Sequence, residues 1–254
     1  MAANARRLRA LMRPASRLRY LVWRASGAAH DLTVSLRDGP RLIIRPAPAG
    51  DLSVAYEIFV EELYKSPRAL TPTSAKRIVD VGANVGYASS YFAHCFPQAA
   101  IVAFEPHPAH LLQIERNLRA NGVEGRVQVI PAAAGPSGRS AFLIDDGEAS
   151  RIIEEPHQGR IAVQVVDFFD AIGKDAVDLL KLDCEGAEFD LLMDDRFATL
   201  DVRALVLEWH TSPQRPFADT AIFERLATLG FSLKKGSEYS IGGNRFGLLW
   251  AYRS

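Results

Sequence analysis

The sequence predicts an α/β fold, with a largely parallel sheet between two helix layers. Three observations predict it. From residue 77 onward, β-like and α-like runs alternate along the chain. Runs such as Val177-Asp-Leu-Leu-Lys-Leu182 and Ala204-Leu-Val-Leu207 are mostly apolar at consecutive positions, as strands covered on both faces must be. A short run, Ile78-Val-Asp-Val81, stops at a turn holding Gly82, Asn84 and Gly86 and passes straight into a helix-like segment.

The elements follow in order. No acidic residue precedes Asp31, while arginines fall at 6, 7, 9, 13, 17, 19 and 24. Leu8, Leu11, Met12, Leu18, Leu21 and Val22 form a loosely helical apolar stripe, interrupted at Pro14. It lacks the continuous apolar core of a secretory signal. Residues 1–30 thus predict a basic, amphipathic helical segment, solvated or frayed. A sharper reading is contact of residues 1–26 with a membrane surface or an acidic partner.

Residues 31–75 predict an extension: a hairpin over 32–45 turning at Asp38-Gly39-Pro40, a helix from Ser53 to Tyr64, and a loop from Pro67 to Ser74. The main domain is then 76–254. Strands are predicted at 77–81, 100–104, 126–131, 177–183, 202–208 and 244–252, and helices at 87–96, 108–120, 187–193 and 218–229. Asn121-Gly122 is a C-terminal helix stop. Residues 138–166 predict an inserted β excursion with turns at Asp146-Gly147 and near Gly159. The tail predicts an antiparallel edge, Phe231-Ser-Leu-Lys234 pairing with Phe246-Gly-Leu-Leu-Trp-Ala-Tyr252 across a turn with Gly236.

Composition narrows the function. The 30 basic and 30 acidic side chains cancel, so no global field selects nucleic acid. Cys95 and Cys184 lack metal or redox spacing and read as reduced thiols of a cytoplasmic protein, one that is peripheral at the inner membrane surface if the basic segment docks. No apolar run is long enough to span a bilayer.

The turn Asp80-x-Gly82-x-Asn84-x-Gly86 points to a ligand, because a strand ending at a glycine-rich turn before a helix leaves backbone N–H groups uncovered. Its spacing differs from the dinucleotide fingerprint, and the Asp80 carboxylate would repel a pyrophosphate. A carboxylate there suits a cation such as the ammonium and sulfonium of S-adenosylmethionine. The next strand, Ile101-Val-Ala-Phe104, ends in Glu105, placed to hold ribose hydroxyls.

A second cluster lies at 178–188, Asp-Leu-Leu-Lys-Leu-Asp-Cys-Glu-Gly-Ala-Glu. Period-two geometry puts Lys181, Asp183 and Glu185 on one face, and burying three such charges requires pairing or a ligand. Glu208 and His210 share a face at the end of the next strand, so two strands deliver five polar groups to one edge. The bland readings are a Lys181–Asp183 structural pair, a satisfied loop histidine at His210, and Glu188 favourable at a helix N-terminus.

On these residues the chain resembles the FkbM family of S-adenosylmethionine-dependent methyltransferases. The matching segments are Val79-Asp-Val-Gly-Ala-Asn-Val-Gly86, Ala103-Phe-Glu-Pro-His-Pro108, Asn117-Leu-Arg-Ala-Asn121, Asp178 to Glu188, and Leu207-Glu-Trp-His210, in the family's order over roughly residues 40–215. Asp51 and Tyr64 also sit where the family has such residues, whereas the threonine usual before Asp167 is absent. The resemblance implies a class I methyltransferase (Rossmann-like) seven-stranded sheet with its last strand antiparallel. It implies that Asp80, Gly82, Asn84 and Gly86 line the methionine part of the cofactor, with Glu105 on the ribose and Pro106 and His107 near the adenine.

It further implies methyl transfer to a hydroxyl on a sugar, glycan or natural-product scaffold. An alcohol needs a base. His210 is the first candidate, since a free imidazole titrates near ~6.5, and Asp183 or Glu185 the second. A third route is a divalent ion, magnesium or manganese, held by Asp183, Glu208 and His210. Alternatives are transfer to nitrogen or a carboxylate, or a silent cofactor-binding scaffold. The 138–166 insertion, the 211–217 loop and the N-terminal segment are expected to meet the acceptor, with Asp145, Asp146, Glu148, Arg151, Pro213 and Arg215 giving the first two a polar lining.

Overall fold

Two helices open the chain, α1 (Ala2–Leu11) and α2 (Pro14–Ser26), broken where Pro14 removes a backbone donor. The structure, a computed structural model, describes residues 2–27, 29–64, 71, 73–137, 139–145, 150–153, 160–213, 216–241 and 243–253. The opening helices are not frayed. Leu8, Met12, Tyr20 and Trp23 are buried, and each aliphatic side chain among them contributes roughly 1.5–3 kcal/mol. Strands β1 (Leu32–Ser35) and β2 (Arg41–Ile44) form the expected hairpin. Ser16 Oγ accepts from Ser35 N at 2.9 Å and Trp23 Nε1 donates to His30 O at 2.6 Å, so α2 is stitched to the hairpin.

Helix α3 (Asp51–Phe59) starts earlier and stops sooner than the pattern predicts. Buried Asp51 takes the Arg45 guanidinium at 2.7 Å, which fixes its start. Glu61 and Glu62 fall beyond its end, and Glu62 has φ 56°.

The main sheet begins with β3 (Arg77–Val81), α4 (Tyr87–Cys95), β4 (Ala100–Phe104), α5 (Pro108–Asn121) and β5 (Val127–Ile130). The excursion follows as β6 (Ala133–Gly135), β7 (Arg139–Asp145), β8 (Ser150–Ile153) and β9 (Ile161–Asp167), a separate four-stranded sheet in the order β6-β9-β7-β8. Its predicted turns at Asp146-Gly147 and Gly159 lie outside the described residues. The chain returns through α6 (Phe168–Ile172), β10 (Val177–Leu182), α7 (Ala187–Met193), β11 (Val202–His210), α8 (Ala218–Thr228), β12 (Ser232–Ile241) and β13 (Asn244–Tyr252). Helix α6 has no counterpart in the sequence reading; Asp167 caps it by accepting from Phe169 N at 2.9 Å.

The seven strands run β12-β13-β11-β10-β3-β4-β5. β3, β4, β5, β10 and β11 are parallel, and the last strand, β13, is inserted antiparallel to β11, as expected. Gly236 marks a register shift inside β12 between Lys235 and Glu238 rather than the hairpin turn. The central β10 is buried along its whole length, which explains its run of leucines.

The asparagines of α5 tie the extension to the sheet. Asn117 Oδ1 accepts from Ile43 N at 2.8 Å while its Nδ2 donates to Val85 O at 2.8 Å. Asn121 Oδ1 accepts from Arg41 N at 2.7 Å. The hairpin edge is thus covered by side-chain amides.

Candidate active site

Strand order reverses between β3 and β10. The chain goes outward from β3 through β4 and β5, then returns to β3's other side. The carboxyl ends of strands at such a reversal form a crevice where ligands bind. Asp80 and Lys181 are register partners across it. Both are fully buried, with Lys181 Nζ at 3.1 Å from Asp80 Oδ1. Ser89 Oγ donates to Asp80 Oδ2 at 2.6 Å, and Lys181 Nζ donates to Gly82 O at 2.8 Å. Asp80 is therefore held beneath the turn by protein partners.

Lys181 Nζ also stands 3.5 Å from Asp183 Oδ2, to which the Tyr64 hydroxyl donates. Burial opposes the Lys181 charge, but Asp80 and Asp183 outweigh it and raise its pKa. Burial likewise opposes the Asp183 charge, and Lys181, Tyr64 and His210 overcome it, so Asp183 stays ionised. Burial and the neighbouring Asp183 charge push the Tyr64 phenol well up, keeping it a donor.

Glu185 and Asn84, at φ 57° and 51°, sit in left-handed turns at two adjacent strand tips. Non-glycine residues hold that conformation at a cost of about 1–3 kcal/mol, and such strain collects at functional sites. The Glu185 turn and buried Glu188 organise His210. Glu188 Oε2 accepts from Gly186 N at 2.8 Å. Its Oε1 accepts from His210 N at 3.1 Å and from His210 Nδ1 at 2.9 Å. Glu185 Oε2 is 3.6 Å from His210 Nε2. Burial disfavours the imidazolium, yet Glu188, Glu185 and Glu208 together lift His210 to about 10. His210 is thus a fixed cation at neutral pH, unlike the free imidazole that its sequence position suggests.

Two further carboxyls are raised, opposite to Asp183. Burial, then Asp183 and Glu188, raises Glu185 to about 7 despite His210. Burial and Asp183 raise Glu208, which is hydrogen-bonded to Asp183. That pair shares a proton, held on Glu208. Among the described residues no group of three His, Cys, Asp or Glu is arranged to hold a metal ion, so Asp183, Glu208 and His210 form no such set. Cys184 is a thiol at 3.6 Å from Glu188 Oε2, pushed well up by burial.

The glycine turn is closed on itself more than its sequence suggests. Gly82 N and Ala83 N donate to Phe104 O at 3.1 and 2.9 Å, and Asn84 N donates to Glu105 Oε2 at 2.8 Å. Gly82, at φ 81°, admits no side chain, because a Cβ would lie 1.8 Å from Asp183 O. Gly86, at φ 79°, packs against Ile114 of α5. Glu105 is buried with His107 N at 2.8 Å from Oε1 and His110 Nδ1 at 3.4 Å. Each oxygen retains a lone pair for a ligand hydroxyl. His107 caps α5, its Nδ1 accepting from Ala109 N at 3.1 Å, and stacks on His110, while Pro106 is half-buried.

These residues fit S-adenosylmethionine chemically. Among the described residues, the carboxyls of Asp80, Asp183, Glu185, Glu188 and Glu208 have Lys181 and His210 as their cations. The edge therefore suits a cationic donor, and Glu105 suits a diol.

An aromatic ledge, unmarked in the sequence, borders the site. His210, Phe246 and Tyr239 are cross-strand neighbours on β11, β13 and β12. Their rings lie near-parallel, 6.2 Å apart from His210 to Phe246 and 5.5 Å from Phe246 to Tyr239. Only strand pairing reveals this alignment. Of the expected acceptor residues, Asp146, Glu148 and Arg215 lie outside the described residues, as do the side chains of Asp145 and Arg151; Pro213 is exposed at the edge of that loop.

The methyltransferase FkbM domain family matches residues 80–233, more than half of the chain. "Methyltransferase 1" of Beauveria bassiana is 30% identical over 179 residues, which cover 58% of this chain and 70% of that protein. The AMB antimetabolite synthetase AmbE of Pseudomonas aeruginosa is 28% identical over 200 residues, covering 62% of this chain but 9% of that much longer protein. A solved transferase structure from Pyrococcus horikoshii aligns with a TM-score of 0.50 at 14% identity over 94% of this chain and 84% of that one, a likeness of fold. With the switch-point turn, the acidic strand tips and the inserted antiparallel strand in place, the chain belongs to the FkbM family of S-adenosylmethionine-dependent methyltransferases.

Proposed function

We propose that this protein methylates a hydroxyl group of a ring-bearing acceptor, a sugar, glycan or natural-product scaffold, with Glu185 as the general base. The observation that carries the reading is the Glu185 carboxyl, drawn to about 7 and set 3.6 Å from the His210 cation. A base that titrates near the working pH is suited to taking a proton from an alcohol as it attacks.

When bound, S-adenosylmethionine supplies a methyl group activated on a sulfonium. Asp80, Gly82, Asn84 and Gly86 form the floor of its place, with Glu105 for the ribose and Pro106 and His107 flanking. Lys181 and Tyr64 hold Asp183 ionised and oriented. His210, fixed by Glu188, holds its Nε2 at 3.6 Å from Glu185 Oε2 and steadies by charge the carboxylate that this base presents before it accepts the proton. The Phe246 and Tyr239 rings, beside the His210 imidazolium, offer a flat aromatic surface for one face of the acceptor ring.

The same acidic edge argues against nitrogen. An amine among these carboxylates is held as an ammonium, which has no lone pair for attack. Labelled methyl transfer to hydroxylated, amino and carboxylic acceptors tests the reading. A methyl ether that survives alkaline hydrolysis is expected. Products confined to base-labile esters or N-methyl compounds would sink it.

A further inference from the structure

Helix α2 is apolar on two opposite sides. Its inward side buries Ser16, Tyr20 and Trp23. At 3.6 residues per turn the opposite side carries Pro14, Ala15, Leu18, Leu21, Val22 and Ala25, all exposed. Leu18, Leu21 and Val22 are 65%, 44% and 60% exposed, so this stripe is left uncovered by the described residues.

The flanks of the stripe are cationic. Arg17 and Arg24 lie along one side and Arg19 along the other, with Arg13 just before the helix. No acidic residue occurs before Asp31. Among the described residues, no arginine of α1 or α2 is ion-paired with a carboxylate. An outward apolar stripe between rows of arginine lets aliphatic groups enter the acyl boundary while guanidiniums stay level with phosphates. A second copy of α2 is a poor occupant, because stacking two such faces sets arginine against arginine.

We propose that the outward face of α2 docks on an anionic lipid bilayer surface. This stands apart from the chemistry of the active site. Docking of this kind combines apolar burial with electrostatic attraction, so removing either part weakens it.

Co-sedimentation of the full chain with vesicles tests the proposal. The vesicles are phosphatidylcholine alone, or phosphatidylcholine mixed with phosphatidylglycerol. Wild type should pellet with the anionic vesicles only, and raised salt should release it. Leu18→Ser/Val22→Ser and Arg19→Gln/Arg24→Gln should each lower the bound fraction by about tenfold. Both pairs are exposed, so an unchanged melting temperature shows that the fold is intact. Failure of the wild type to pellet with anionic vesicles overturns the proposal. So does equal pelleting of wild type and Leu18→Ser/Val22→Ser. A dimer that the leucine–valine variant dissolves, without any vesicle binding, assigns the face to a second copy and also overturns it.

Discussion

Lys181 answers two carboxylates at once, with Nζ at 3.1 Å from Asp80 and 3.5 Å from Asp183, and it is buried with the first. Replacing it by methionine keeps the volume but leaves buried Asp80 without its cation. We expect Lys181→Met to destabilise the fold by about 3–5 kcal/mol in urea unfolding. A loss under about 1 kcal/mol would mean that the pair contributes little. Glu105 is simpler, since both its oxygens already accept backbone N–H groups. Glu105→Ala should weaken cofactor binding at least about tenfold by calorimetry, through the lost ribose contacts and the loosened Asn84 turn. His210 shows where reading single residues ran out. A free imidazole titrates near neutrality, and only the fold brings buried Glu188 within 2.9 Å of Nδ1. Glu188 stands in the sequence as an ordinary first-turn acid of a helix, and nothing local marks its inward aim.

At the scale of elements, the turn after β3 and the tip of β10 form one unit, because Asp183 N donates to Val81 O at 3.1 Å. Gly82 lies where they meet. Gly82→Ala must escape both a φ of 81° and a contact 1.8 Å from Asp183 O. It should lower the melting temperature and abolish cofactor binding together, whereas Gly122→Ala, with nothing within 4 Å, should leave binding intact. Retained binding in Gly82→Ala would separate turn from site. The parallel strands are legible as compact apolar runs bounded by turn residues, and α4, α5 and α8 as helix-like runs of nine residues or more. Helix α6 was not, since five residues span too little for a period and its signal is the Asp167 cap alone. Glycine marks bulges and turns alike, so Gly236 alone does not distinguish the register shift in β12 from a hairpin turn. The ledge was invisible for a different reason. Phe246 and Tyr239 meet His210 only through strand register, which an isolated sequence does not state.

For the whole molecule, the site's titrations set how stability depends on pH. Glu185, Glu208 and His210 are all raised, to about 7, about 8 and about 10. The folded protein therefore binds more protons than the unfolded chain over this range. Their stabilisation is complete below the unfolded values and is lost as pH rises through the folded ones. The melting temperature of the free protein should fall from about pH 6 to about pH 9, and Glu208→Gln should flatten that fall. A melting temperature that rises over the same range would contradict the cluster's charge states. The extension shares in this unit, because Tyr64 reaches Asp183 from the segment after α3 and Asn117 links the hairpin to the glycine turn.

The most direct test of the chemistry is the pH dependence of single-turnover methyl transfer in wild type and Glu185→Gln. Wild-type rate should climb through about pH 7 as Glu185 ionises, and Glu185→Gln should be slower by roughly 10²–10⁴-fold without that limb. A wild-type profile that is flat through neutrality, or a glutamine variant that keeps the same rise, would contradict the account.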